Sequence, residues 1–240
     1  MSVKEHYNNH LGNFYSWMTG DFSSRKNEFK KFLSDNSIAP ASNKIAIDLG
    51  AGHGIQSVAL AEQGFKVIAV DFSQQLLSEL NSNSSGKDIT ILDDDIRNIK
   101  QFAEKPGLII CCGDTLSHLG SKHEVSNLIS DIAEILDNNG KLILSFRDYS
   151  KYLTGTDRII PVKSANNKIL TCILDFEEDY LTVTDLLYEK INKAWEQKVS
   201  MYKKVRLQPP EVISYLTSSG FTVTFNQVLN GIVTIIGSKS

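Results

Sequence analysis

Residues 45–54 read Ile45-Ala46-Ile47-Asp48-Leu49-Gly50-Ala51-Gly52-His53-Gly54. A short apolar run leads straight into three glycines at alternate positions. Such a run, bounded by glycine, has the character of a strand covered on both faces. Glycine lets a chain turn sharply and lets its backbone approach a ligand closely. From Gly54 to Gln63, Ile55, Val58 and Ala59 then form the apolar stripe of a helix. Strand, glycine turn and helix open a βαβ unit, and the helix start offers free N–H groups at the turn.

The same alternation continues outward. Lys66 to Val70 reads as a second strand, and Ser73 is placed to cap a helix that runs to Asn81. Ile89 to Leu92 is a third strand, and Gly107 to Cys112 a fourth, apolar on both faces. Lys122 to Leu136 is the clearest helix, with Val125, Leu128, Ile129, Ile132 and Leu136 on one side and Asn138-Asn139-Gly140 as its stop. Lys141 to Phe146 is a fifth strand. Before this block lie polar and aromatic residues, a helix over Arg25 to Leu33 and a break at Ile38-Ala39-Pro40-Ala41-Ser42. After it, from Asp157 to Leu207, extended runs are separated by Asn166-Asn167, Glu178-Asp179 and Asn192-Lys193, as in an antiparallel meander. Pro209-Pro210 ends the meander. A helix follows over Glu211 to Ser219, then an antiparallel pair, Gly220 to Leu229 and Gly231 to Gly237. The pattern predicts a doubly wound α/β sheet with an antiparallel β insertion after the fifth strand.

Composition fits an ordinary globular chain: 240 residues, 41% hydrophobic and 22% charged. Net charge is 25 − 28 = −3, which gives no basic field for nucleic acid or an anionic membrane. No apolar run approaches the ~20 residues of a membrane span. Met1-Ser2-Val3-Lys4-Glu5-His6 lacks the apolar core of a secretory signal. Cys111, Cys112 and Cys172 lack metal-ligand spacing and read as reduced thiols, so no metal site and a cytoplasmic location are expected.

Acids at the strand ends narrow the ligand. A dinucleotide turn wants glycine or alanine where Ile55 stands, and a phosphate-binding P-loop wants Gly-Lys-Ser/Thr. Asp48, just before the turn, would repel a pyrophosphate and suits an ammonium group, while the helix start suits a carboxylate. Asp71 ends the second strand, where an acid accepts hydrogen bonds from both ribose hydroxyls. The third strand ends in Asp93-Asp94-Asp95-Ile96, an acid for an adenine amino group beside an apolar residue for the ring. Amino acid, ribose and adenine together describe S-adenosylmethionine.

These segments resemble the three cofactor motifs of class I S-adenosylmethionine-dependent methyltransferases. The likeness covers residues 44–150 and extends to the terminal strand pair. It implies a seven-stranded Rossmann-like methyltransferase sheet. It also implies cofactor contacts at Tyr15, Asp48, Gly50, Ala51, Gly52, Asp71, Phe72, Ser73, Asp95, Ile96 and Gly113. A Rossmann-like fold with an unusual dinucleotide turn is the competing reading of the motifs.

The fourth strand leads into Gly113-Asp114-Thr115-Leu116-Ser117-His118-Leu119. This is similar to the loop of small-molecule N-methyltransferases of the glycine and sarcosine group, except that Asp114 stands where those enzymes have asparagine. Motifs of the exocyclic-nitrogen and cytosine-C5 nucleic-acid methylases are missing. His118 is a candidate general base, or else a helix-start residue bonded to backbone. Arg147, at the end of the fifth strand, could pair with a substrate carboxylate or with a neighbouring acid. In the insertion, Tyr202, Lys204 and Arg206 share one face. That face either roofs the substrate, with Tyr202 and Arg206 pointing at it, or is solvated. Tyr7-x-x-His10 and Tyr15-x-Trp17-Met18 resemble the lid of related enzymes, or staple the N-terminal helices.

The expected organisation is a helical lid over residues 1–43, a methyltransferase domain over 44–150 and 208–240, and a substrate-side insertion over 151–207. The expected activity is methyl transfer to a nitrogen or oxygen of a small amine or carboxylate-bearing molecule. Two alternatives stand beside it: an RNA methyltransferase, and a non-catalytic S-adenosylmethionine-binding regulatory protein. The sequence does not give the oligomeric state.

Overall fold

The computed structural model describes residues 2–40, 43–103 and 105–239. Three helices lead: α1 (Val3–Asn9), α2 (Tyr15–Thr19) and α3 (Phe22–Asp35). The doubly wound unit follows as β1 (Ile45–Leu49), α4 (Ile55–Glu62), β2 (Lys66–Asp71), α5 (Gln74–Asn83), β3 (Ile89–Asp93), β4 (Leu108–Cys111), α6 (Lys122–Ile135) and β5 (Lys141–Phe146). The insertion is β6 (Ile159–Ala165), β7 (Lys168–Phe176), β8 (Tyr180–Ile191) and β9 (Ala194–Val205). Helix α7 (Pro209–Ser218) and strands β10 (Phe221–Leu229) and β11 (Ile232–Lys239) close the chain.

Seven strands form one sheet in the order β10-β11-β5-β4-β1-β2-β3. β11 runs antiparallel to both its neighbours, and the strands from β5 to β3 are parallel. The chain winds one way from β1 to β3, then crosses back to β4 and β5. The loops after β1 and β4 therefore diverge, and a crevice opens between them. Register sets the strand tips side by side: Leu49 pairs with Val70, and Asp71 with Asp93.

Alternation along the strands fills both faces. Ile47, Leu49, Ile109, Cys111, Leu142 and Leu144 face the apolar stripe of α6 and α7. Ala46, Val67, Ala69, Leu108, Ile110 and Ile143 face Leu33 of α3, Leu60 of α4 and Leu80 of α5. Burying each aliphatic side chain contributes about 1.5–3 kcal/mol.

Local chemistry shifts three expected features. The first long helix begins at Phe22, because the Asp21 carboxylate accepts the Ser24 N–H at 2.7 Å and caps it. Pro209 and Pro210 do not precede α7 but form its first turn, where a missing N–H costs nothing. Ser73 occupies the cap position of α5, yet its hydroxyl makes no capping bond; its backbone N–H is drawn to Asp71 instead.

β6, β7, β8 and β9 form a separate antiparallel sheet in sequence order. Leu170 and Leu187 on its inner face pack against Leu11 and Phe14. The N-terminal segment is thus held between the insertion and the tips of the parallel strands. Among the described residues, no helix is long and apolar enough to cross a membrane.

Candidate active site

A cleft of about 550 Å³ opens at the carboxyl ends of β1 to β4. Gly50, Gly52, Asp71, Asp95, Ile96 and Gly113 lie on its walls, and Tyr7 and Tyr15 from the N-terminal segment cover it. Phe72 and His118 also reach it.

The glycine turn is bound to the neighbouring strand. Gly50 and Ala51 both donate their N–H to the Val70 carbonyl, at 2.8 and 3.0 Å. Gly52 N–H donates to Asp71 Oδ2 at 2.9 Å. Three successive N–H groups are therefore committed to the end of β2 and are not presented to an anion, which argues against a pyrophosphate here. Gly50 is needed for two reasons. Its φ is +75°, and a Cβ there would overlap Thr115 Cγ2 and Oγ1 in the loop after β4.

Asp71 ties the second tip together. Its Oδ1 accepts the Ser73 N–H at 2.9 Å while Oδ2 holds Gly52. Burial pushes this carboxyl above the usual range, against the pull of those N–H groups. Each oxygen keeps a lone pair to spare. Asp95 caps the turn that starts at Ile96 by accepting the Arg97 N–H at 2.9 Å, and the Arg97 guanidinium beside it lowers its pKa. Asp94 binds the Asp95 N–H and the Asn98 side chain, and Asp93 accepts from Gln74.

Three expected cofactor residues stand behind the wall. Asp48 is buried beneath the turn; it accepts the Ser57 hydroxyl at 2.6 Å, and burial pushes its carboxyl up to about 7. Ala51 packs into the core, and Ser73 is wholly buried. On this geometry they shape the turns that carry the wall.

At the reacting end, His118 is half-buried on the cleft wall. Its Nε2 lies 3.5 Å from the Tyr7 hydroxyl, and its Nδ1 has no partner. Burial, aided by the Lys204 ammonium, pushes its pKa down to about 3. The imidazole is neutral at ordinary pH and binds a proton weakly. Burial likewise holds the Tyr15 hydroxyl protonated, raised to about 12. Asp114 turns inward from the cleft: its carboxylate accepts from Lys204 Nζ at 2.6 Å, the Tyr149 hydroxyl at 3.1 Å and the Arg147 N–H at 3.0 Å.

The face of Tyr202, Lys204 and Arg206 is buried rather than solvated. Tyr202 does not form the cleft wall; its ring stacks on His6 at 4.0 Å and lies 5.6 Å from His118. The substrate contact expected of Arg206 gives way to a structural one. Its guanidinium donates to the carbonyls of Tyr149, Ser150, Glu177 and Glu178, so it pins the insertion to the chain after β5. The Arg147 side chain is exposed and away from the cleft wall.

Residues 46–140 match the family of methyltransferase domains. Over that stretch the chain is similar to a methyltransferase domain. A glycine/sarcosine N-methyltransferase of Aphanothece halophytica is 30% identical over 113 residues, 46% of this chain and 43% of that one. A cypemycin N-terminal methyltransferase of a Streptomyces species is 27% identical over 151 residues, 56% of this chain and 61% of that one. The chain spans less than half the length of the glycine/sarcosine enzymes it matches. Among solved structures, the CcbJ methyltransferase of Streptomyces caelestis shares the fold with a TM-score of 0.81 at 12% identity, covering 99% of both chains. CalS10, an amino pentose methyltransferase of Micromonospora echinaspora solved with S-adenosylmethionine bound, has a TM-score of 0.75 at 11% identity, with 92% of each chain covered.

The likeness to methyltransferase domains implies S-adenosylmethionine, and the residues present fit it. Two buried acids, Asp48 and Asp71, stand at a turn whose N–H groups are already used. That donor set suits a cationic ligand carrying a diol, not a polyphosphate.

Sequence reasoning missed the buried cluster behind the reacting end. His6 Nδ1 lies 2.8 Å from Ser200 Oγ, and His6 Nε2 lies 3.2 Å from Asp185 Oδ2. Cys172 donates its thiol to Asp185 Oδ1. One signal was present: Asp185 interrupts the otherwise apolar inward row Leu181, Val183, Leu187 of β8. Nothing local pointed to His6 as its partner.

Proposed function

We propose that this chain transfers a methyl group from S-adenosylmethionine to the nitrogen of a small amine. The observation that carries the reading is Asp71: a buried carboxylate on the cleft wall, fixed by the Gly52 and Ser73 N–H groups, with lone pairs left for a ribose diol. When bound, S-adenosylmethionine supplies a methyl group already activated on a sulfonium. The protein's part is to align the acceptor and exclude water.

On this reading Gly50, Gly52 and Gly113 give the cofactor close backbone approach. Asp71 holds the ribose, and Asp95 with Ile96 takes the adenine. Tyr15 and Phe72 cover the cofactor, and Asp48 balances its positive charge from beneath the turn. Residues 1–43 act as lid, and 151–207 close the substrate side.

The reacting end favours an amine over a carboxylate-bearing acceptor. Lys204 is matched by Asp114, the Arg206 guanidinium by four carbonyls, and His118 is neutral. The cations on the cleft wall, Lys4 and Arg97, lie at the β3 end with Asp93, Asp94, Asp95 and Glu124. His118 and the Tyr7 hydroxyl accept or donate hydrogen bonds but do not take the proton. The acceptor therefore enters as free amine, and turnover rises with pH through the acceptor's own pKa. A net charge of −3 favours a small molecule over nucleic acid.

Calorimetry with S-adenosylhomocysteine, then labelled methyl transfer to a panel of amines and carboxylic acids, tests this. Binding followed by transfer to amines is expected. No binding at saturating ligand removes the cofactor reading, and transfer only to carboxylate oxygens removes the acceptor.

A further inference from the structure

The outer face of the insertion sheet departs from what an exposed antiparallel sheet carries. One face of such a sheet normally packs on the core while the other alternates out as polar side chains. Register places three rows across all four strands on the outer face. They are Ile159, Ile173, Thr184 and Met201; then Pro161, Thr171, Leu186 and Val199; then Ser164, Ile169, Tyr188 and Gln197. None of these positions is charged. Val199, Met201 and Ile159 are 55%, 54% and 49% exposed.

Charge returns only past the rows. Beyond Met201, Lys203 stands across from Thr182 and Asp175, with Lys203 paired to Glu177 and Asp175 to Arg158. Both signs are present there and already paired within the chain. An apolar centre with a polar rim is the anatomy of a protein interface.

We propose that this face is the interface of a homodimer, with a second copy of this chain packed sheet against sheet. Strands spaced ~4.8 Å apart with ~3.4 Å per residue give the three rows an area on the order of 400 Å². With the flanking charged rows the face reaches about 600 Å² per copy, or about 1,200 Å² in all, the lower bound for a stable interface. Two identical faces meet without an unmatched charge at their centre, because the central rows carry none, and the rim beyond Met201 carries both signs. The strands are fixed by their ladders, so little ordering is lost on docking.

Sedimentation velocity of the intact chain at rising concentration tests the proposal. A reversible monomer–dimer equilibrium at micromolar concentration is expected. Val199→Glu and Met201→Lys, both at exposed positions, should each raise the dimer dissociation constant by roughly 100-fold. Hydrogen exchange on the wild-type chain gives a readout that needs no variant: amides of residues 169–173 and 184–201 should gain protection as dimer forms. A wild-type chain that stays monomeric at the highest concentration overturns the proposal. So does a dimer that both variants leave intact, or one whose protection falls elsewhere.

Discussion

Lys204 Nζ lies 2.6 Å from Asp114 Oδ2, joining the insertion to the loop after β4 across 90 residues of sequence. Burial alone would raise the Asp114 carboxyl, but the Lys204 ammonium more than offsets it and leaves its pKa below the usual range. Lys204 shifts in the matching direction, held well above its ordinary pKa by Asp114 against the effect of burial. A buried pair of this kind adds little net stability, whereas removing one partner strands a charge. Lys204→Met should therefore cost about 3–5 kcal/mol in urea unfolding. Lys204→Met with Asp114→Asn should cost less than Lys204→Met alone. A single variant within about 0.5 kcal/mol of wild type would show that the ammonium is not what keeps Asp114 charged.

Asp71 draws two loops together, so its loss reaches beyond one contact. Asp71→Asn keeps the shape but sets an amide NH2 against one of the two backbone N–H groups. It also removes the charge offered to the ribose. Affinity for S-adenosylhomocysteine should fall by about 1–3 kcal/mol, which calorimetry reads directly. Unchanged affinity would place the diol elsewhere.

His118 makes stability depend on pH. Its pKa is about 3 in the fold and 6.5 as a free side chain. Below about pH 6.5 the unfolded chain binds a proton that the native imidazole refuses, so stability falls as pH drops from there toward the native pKa. His118→Gln removes this contribution. Between about pH 7.5 and about pH 5, wild type should lose about 2 kcal/mol more than the Gln variant. Equal losses in urea titrations would mean that His118 is protonated in the fold.

Much of this architecture was legible because it is local. Apolar runs at 45–49, 66–71 and 108–111 can only be strands covered on both faces, and the stripe from Val125 to Ile132 can only be a helix on that sheet. The turn residues Asn166-Asn167 and Asn192-Lys193 mark the hairpins of the insertion where they occur. The reacting end was not legible, because its partners are remote. Lys204 could be assigned to the face of Tyr202 and Arg206, but no period in the sequence tells that Asp114 meets it. His6 and Ser200 are 194 residues apart. Helices α1 and α2 are short and show no apolar period; α1 is set by the capping box of Ser2 and Glu5 and by packing on the insertion.

The two loops that form the cleft can be separated by their glycines. Gly50 and Gly113 both have positive φ, +75° and +74°. Alanine at either position carries backbone strain of about 1–2 kcal/mol. Only at Gly50 does the new methyl also meet a neighbour. Thr115 stands in its way and is anchored, its Oγ1 donating to the Cys112 carbonyl at 2.8 Å. At Gly113 a Cβ meets nothing within 4 Å. Gly50→Ala must push the loops after β1 and β4 apart, whereas Gly113→Ala need not. Thermal unfolding should show Gly50→Ala less stable than Gly113→Ala by at least about 1 kcal/mol, with a larger loss of S-adenosylhomocysteine affinity. Equal penalties for the two variants would mean that Thr115 yields freely and that the contact between the loops does not set the width of the cleft.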